Sequence, residues 1–148
     1  LCCDSEYDHT NLKDENHRWQ AITFNHVKDG WVRSVEAHHF AGSAVMVLEG
    51  AMQVTVEDCK FLHPVSEIAN HRRYAFHTLG QLPLFQRCYS EEGYRDFTVG
   101  VAVPGPNAFV QCHSERPYSF SGSTGGFSNG ILMDKITVSG GIIQLGGG

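Results

Sequence analysis

Two short stretches hold the residues best equipped for chemistry: NHRRYAF at 70–76 and EGYRDFTV at 92–99. The first runs a histidine and two arginines straight into an apolar, strand-like segment. The second does the same with a tyrosine, an arginine and an aspartate. Arginine stays charged and forks onto carboxylates, while histidine, tyrosine and aspartate can move protons. Brought together, His71, Arg72, Arg73, Tyr94, Arg95 and Asp96 would suit β-elimination from a uronate, which needs a cation on the carboxylate and a base for the C5 proton. Glycoside hydrolysis instead needs two carboxylates about 5 to 9.5 Å apart. Asp96 supplies one, and Glu67, Glu91 and Glu92 are candidate seconds at no diagnostic spacing. The excess of cations over acids favours the elimination chemistry. An ion pair between Arg73 and Asp96 that merely holds the chain together is the plain alternative, and the protein would then be a non-catalytic glycan-binding or structural module.

Residues more than twenty positions apart meet only if the fold stacks them, and the sequence carries a repeat that would do so. WVRSVEA (31–37), TVEDCKF (55–61), LFQRCYS (84–90) and FVQCHSE (109–115) each alternate like a β-strand toward a small residue. Setting Val35, Cys59, Cys88, Cys112 and Ile136 as equivalent gives intervals of 24, 29, 24 and 24 residues. Such regularity marks stacked coils, none able to bury its own apolar face alone. A leucine-rich repeat would need L-x-x-L-x-L, which is missing. The expected fold is all-β, a right-handed parallel β-helix of about five coils spaced as paired strands are. One domain spans 1–148, with an irregular segment at 1–16 and coils over 17–145. The 29-residue interval places five extra residues within FLHPVSEIANHRRY (61–74), as a loop on one face. Aligning the two stretches at a spacing of 23 sets Tyr74 on Phe97, Arg73 on Asp96, Arg72 on Arg95 and His71 on Tyr94. SGSTGGFSNG (121–130) reads as a loop, and GGIIQLGGG (140–148) as the start of a further strand with a ragged end.

The segments VTVEDCKFLHPVSEIANHRRYAF (54–76), GQLPLFQRCYSEEGYRDFTVG (80–100) and PGPNAFVQCHSERPYSFSG (104–122) resemble bacterial pectate-lyase-like, right-handed β-helix proteins. The resemblance spans about residues 15–138. It implies an extracytoplasmic, secreted or periplasmic, carbohydrate-linked β-helix with a polysaccharide or oligosaccharide as partner, and it brings no catalytic residue set with it. Members of that group run to further coils beyond the equivalent of Asp134, so this chain is expected to be part of a longer helix.

Composition narrows the alternatives. The 148 residues carry a net charge of −5, 41% apolar residues and 16 glycines. A nucleic-acid footprint would be basic, and no apolar run is long enough to span a bilayer. Five cysteines without a CxxC pair fit neither a zinc ribbon nor a complete disulfide framework. Cys59, Cys88 and Cys112 instead belong inside the column as small apolar groups, while Cys2 and Cys3 fall outside it. His77, Tyr89 and His39 are the expected substrate contacts. No metal ligand set is expected. Ca²⁺ on Asp4, Asp8, Asp14 and Glu15 is chemically allowed but has no specific motif behind it. Uncapped coils would expose strand edges, and end-to-end self-association is the expected consequence.

Overall fold

The computed structural model describes residues 1–145, and the last three glycines of the expected ragged end lie outside them. Its 17 strands, numbered β1 to β17 in chain order, form three parallel sheets. Sheet A stacks β1 (Cys2–Asp4), β4 (Glu36–His38), β7 (Lys60–Leu62), β10 (Tyr89–Glu91), β13 (His113–Glu115) and β16 (Thr137–Ser139). Sheet B stacks β2 (Gln20–Phe24), β5 (Ser43–Val47), β8 (Phe76–Thr78), β11 (Phe97–Val99), β14 (Ser121–Ser123) and β17 (Ile143–Gln144). Sheet C stacks β3 (Trp31–Arg33), β6 (Thr55–Glu57), β9 (Leu84–Gln86), β12 (Asn107–Val110) and β15 (Ile131–Asp134). Each coil visits A, B and C in turn, and every pairing is between successive coils. This is the expected parallel β-helix of about five coils. The described residues include no helix long and apolar enough to cross a membrane.

Alternation decides what the column holds. Strand side chains alternate between the two faces of a sheet, so each coil contributes one or two inward groups per strand, and these stack. Phe85 lies on Phe109 with ring centroids 4.8 Å apart, and Phe76 on Phe97 at 5.6 Å. These four rings and Phe61 are fully buried. Burying such a side chain is worth about 1.5–3 kcal/mol, which is why strands of three residues suffice here.

The coils turn at two corners built on a single left-handed residue each. Between sheets C and A the corner residues are Ser34, Asp58, Arg87, Gln111 and Lys135, with φ of 52–55°. Each is followed by the inward residue of the repeat, so Cys59, Cys88 and Cys112 do stand in one file. Tyr89 N–H donates to Cys59 O, and His113 N–H to Cys88 O, both at 2.9 Å. The three thiols are about 1% exposed, and burial raises the Cys59 thiol. After sheet A the corner residues are His39, His63, Glu92 and Arg116, with φ of 63°, 50°, 53° and 49°. A left-handed conformation is costly for residues with a Cβ. Here it recurs because it bends the chain in one residue while the corner N–H still bonds the next coil, as His39 N–H does to Leu62 O at 3.1 Å.

The structure revises three expectations. Cys2–Asp4, read as irregular, forms β1, and Cys3 pairs with Ala37 on the inward column of sheet A. Ser121–Ser123, read as loop, forms β14 because its small residues fit a register position opposite Thr98 and Val99. The spacing of 23 is also wrong: Phe97 pairs with Phe76, 21 residues earlier. The A-to-B connection after β7 is longer than its successor (63–75 against 92–96), but the B-to-C return after β8 is shorter (79–83 against 100–106). A net insertion of five hides those opposite changes, so a whole-coil alignment misplaces sheet B by two residues.

Candidate functional site

The corrected register dissolves the six-residue patch into four separate environments. Arg72 is docked, not catalytic in position. Its Nε and Nη2 fork onto Glu15 at 2.6 and 3.0 Å, and its guanidinium lies over the Trp19 ring. That fork holds the Glu15 carboxyl below the usual range. Arg72 therefore clips the N-terminal segment onto the 63–75 loop, and it does not stack on Arg95.

Asp96 is sealed inside the column. It is fully buried, with Ser90 Oγ donating to Oδ1 at 2.6 Å and Ser114 Oγ donating to Oδ2. Desolvation pushes its pKa up to about 6, with the two serine hydroxyls pulling the other way. Arg73 makes no ion pair with it. A substrate reaching neither carboxyl oxygen cannot be acted on by Asp96, so it is a buried structural acid.

A third group sits on the outer side of sheet B. Tyr94 lies parallel to Tyr74, their centroids 6.5 Å apart, and His71 stacks on Tyr74 from an exposed position. Arg95 lies over Phe120, with Cζ 4.2 Å from the ring centroid. His77 is buried against the edge of Tyr74, and its Nδ1 is 2.7 Å from Thr98 Oγ1. Burial pulls the His77 pKa down to about 4, so it is neutral at physiological pH.

The fourth environment is a groove of about 360 Å³ on the A-to-B corner, between the N-terminal segment and the 63–75 loop. Tyr7, His39, His63, Ser66, Arg73 and Tyr118 are among its walls. The loop and the segment face each other because they are clipped together. Besides Arg72–Glu15, Lys13 pairs with Glu67 at 3.2 Å, and His17 Nε2 is 3.0 Å from Val65 O. His39 and His63 meet here because both are left-handed corner residues of one column, and their rings stack with centroids 6.2 Å apart. Each has its own carboxylate. His39 Nδ1 is 2.7 Å from Asp4 Oδ1, and His63 Nδ1 is 2.8 Å from Glu91 Oε1. A carboxylate at Nδ1 fixes the tautomer that carries the proton there and leaves Nε2 as an acceptor. Tyr89 serves this pair at one remove, its hydroxyl donating to Glu91 Oε2 at 3.4 Å.

Arg73 is only 6% exposed, yet its partners are all neutral: Ser66 Oγ at 3.1 Å, Ser66 O at 2.8 Å and Glu92 O at 3.4 Å. Those bonds use three of its five N–H groups. Desolvation lowers its pKa, and no described carboxylate forms an ion pair with it. A buried cation without a counter-ion beside a groove is a ready anion seat.

Of the expected site residues, Arg73 and His39 face the groove and Tyr89 supports it, while His71, Tyr94, Arg95 and His77 share the outer face of sheet B. His63 and Tyr7 were not among the expected site residues. The repeat held the signal for His63, since it follows His39 by the same 24 residues that separate Cys59 from Val35. Among the described residues, no group of three or more His, Cys, Asp or Glu side chains is arranged to hold a metal ion. Asp8 and Asp14 spend their carboxylates on backbone N–H groups of their own segment.

Fold and groove together define a parallel β-helix with paired histidines at one corner. Comparison with protein-family models, curated proteins and solved structures returned no match.

Proposed function

We propose that this protein is an extracytoplasmic, carbohydrate-active β-helix that cleaves an acidic glycan by β-elimination in the corner groove. One observation carries the reading: two carboxylate-supported histidines on successive coils line the same groove as Arg73, a buried cation that lacks a carboxylate partner.

In this reading the uronate carboxylate is held by the free N–H groups of Arg73, which offsets the charge that builds on it as the C5 proton leaves. His63 is the base. Its side chain is 64% exposed, its Nδ1–H is held by Glu91, and Nε2 takes the proton. The C5–H electrons become the C4=C5 double bond, the C4–O bond breaks, and the leaving oxygen takes a proton from water in the open groove. His39 and Tyr7, with ring centroids 5.1 Å apart, form the wall against which the sugar is positioned. Hydrolysis is less well supported. The one carboxyl with a raised pKa is Asp96, which substrate cannot reach, and Asp4 and Glu91 are both engaged by histidines.

The test is release of the conjugated uronide from a panel of acidic glycans, followed by its ultraviolet absorbance. His63→Gln is expected to lower kcat/KM by about 10²–10⁴ with an unchanged circular dichroism spectrum. Glycan binding without product from any member of the panel would make the protein a non-catalytic binding module and end the elimination proposal.

A further inference from the structure

Arg95 differs from the other arginines around the site. Arg72, Arg87 and Arg116 have carboxylate partners, and Arg73 has three neutral acceptors. The Arg95 side chain has no hydrogen-bonding partner among the described residues, and its Nε is buried without an acceptor. Aromatic faces surround it instead: Phe120 at 4.2 Å, Tyr74 at 5.7 Å and Tyr94 at 5.9 Å from Cζ. The acid next in sequence, Asp96, is turned inward and bound by two serines.

A buried N–H without an acceptor needs an explanation in a folded chain. Cation–π contact with the rings stabilises the guanidinium but leaves its donors unspent: the fork fits an oxyanion, and ring faces pack against the C–H face of a sugar. We infer that Arg95, with Tyr94, Tyr74 and Phe120, forms a second glycan-binding site on the outer face of sheet B, one that takes an oxyanion carried on a sugar ring. The site is separate from the groove. Arg73 and Tyr74 are consecutive, yet the first faces Ser66 and the second faces Tyr94. Tyr94 and Tyr118 likewise belong to different walls.

Binding tests this directly, whether or not the groove turns over a glycan. Galacturonan, sulfated galactan and neutral galactan oligosaccharides of equal length are titrated into the full chain by calorimetry. At least one anionic oligosaccharide is expected to bind, more weakly at higher salt, and the arm that binds says whether the oxyanion is a carboxylate or a sulfate ester. Arg95→Gln is expected to weaken that binding by about tenfold or more, the loss of a charge-assisted fork. Arg95→Lys, which keeps the charge without the fork, should fall between. Equal binding of the neutral oligosaccharide, or unchanged binding by a folded Arg95→Gln protein, would overturn the site. Should the variants fail to fold, the wild-type Arg95 Nε–H resonance decides: it shifts on adding the anionic oligosaccharide, or the inference is wrong.

Discussion

Asp96 and His77 are both buried, and their titrations oppose each other, which makes stability against pH a demanding check on the core. Asp96 has a folded pKa of about 6 against 3.8 in the unfolded chain. It therefore adds stability below 3.8, and that contribution is lost as pH rises through 6. His77 has a folded pKa of about 4 against 6.5. Its contribution is full above 6.5 and is lost as pH falls through 4. A shift of two units corresponds to about 3 kcal/mol, so between the two limits the terms nearly cancel in the wild type. Asp96→Asn keeps a donor and an acceptor for Ser90 and Ser114 but cannot ionise. Urea denaturation should find it about 1–3 kcal/mol more stable than the wild type near pH 8, with the gain gone near pH 4. His77→Gln should show the opposite difference, costing most at high pH and least near pH 4. Differences from the wild type cancel the acid loss common to all three proteins from Glu15, Glu36, Asp58 and Glu115, whose carboxyls are held low by their partners. An Asp96→Asn profile parallel to the wild type across that range would show that Asp96 is not a desolvated acid, and the sealed corner would be wrong.

Two further changes probe the same corner and the groove wall. A Cβ at Gly93 would stand 1.7 Å from Asp96 Oδ1, and Asp96 cannot swing aside while both serines hold it. Gly93→Ala should cost about 1–3 kcal/mol, and adding Asp96→Ala should recover part of that in a double-mutant cycle; strict additivity would refute the clash. Arg72→Ala should leave Tm nearly unchanged, because the Arg72–Glu15 pair is partly exposed. It should nevertheless raise KM for the glycan, since the pair clips the groove's two walls together; an unchanged KM would show that the clip does not shape the site.

The column was legible in the sequence because its cause is repetitive. Inward residues at 24-residue spacing, with cysteine in three successive coils, mark a stack whatever the loops do. The patch was not legible, because stacking neighbours in sheet B depend on the lengths of two loops that changed in opposite directions after Phe61. The net interval of 29 records only their difference. Facing direction was hidden for a related reason. Arg72–Tyr74 lie in the connection before β8, outside any strand, and Arg73 turns the chain there with a left-handed φ of 52°. Three consecutive side chains thus reach the N-terminal clip, the groove and the outer face of sheet B, where simple alternation would have sent the first and third the same way.

The corners show how such a column can gain chemistry without disturbing its core. A one-residue left-handed bend directs its side chain outward whatever the residue type, so a corner column can change composition at little cost to packing. At the C-to-A corner the column is used for cohesion: Asp58 accepts a fork from Arg87 at 2.7 and 2.9 Å. At the corner after sheet A, the same geometry presents His39 and His63 to the groove, followed by Glu92 and Arg116, which pair with each other at 3.6 Å. The histidine pair is thus confined to the two coils that the N-terminal segment and the long 63–75 loop enclose. Above them the column reverts to an exposed ion pair. The groove takes in Glu92 and Tyr118 from later coils as well, so the site is placed by the loops that wall it as much as by the corner residues that line it.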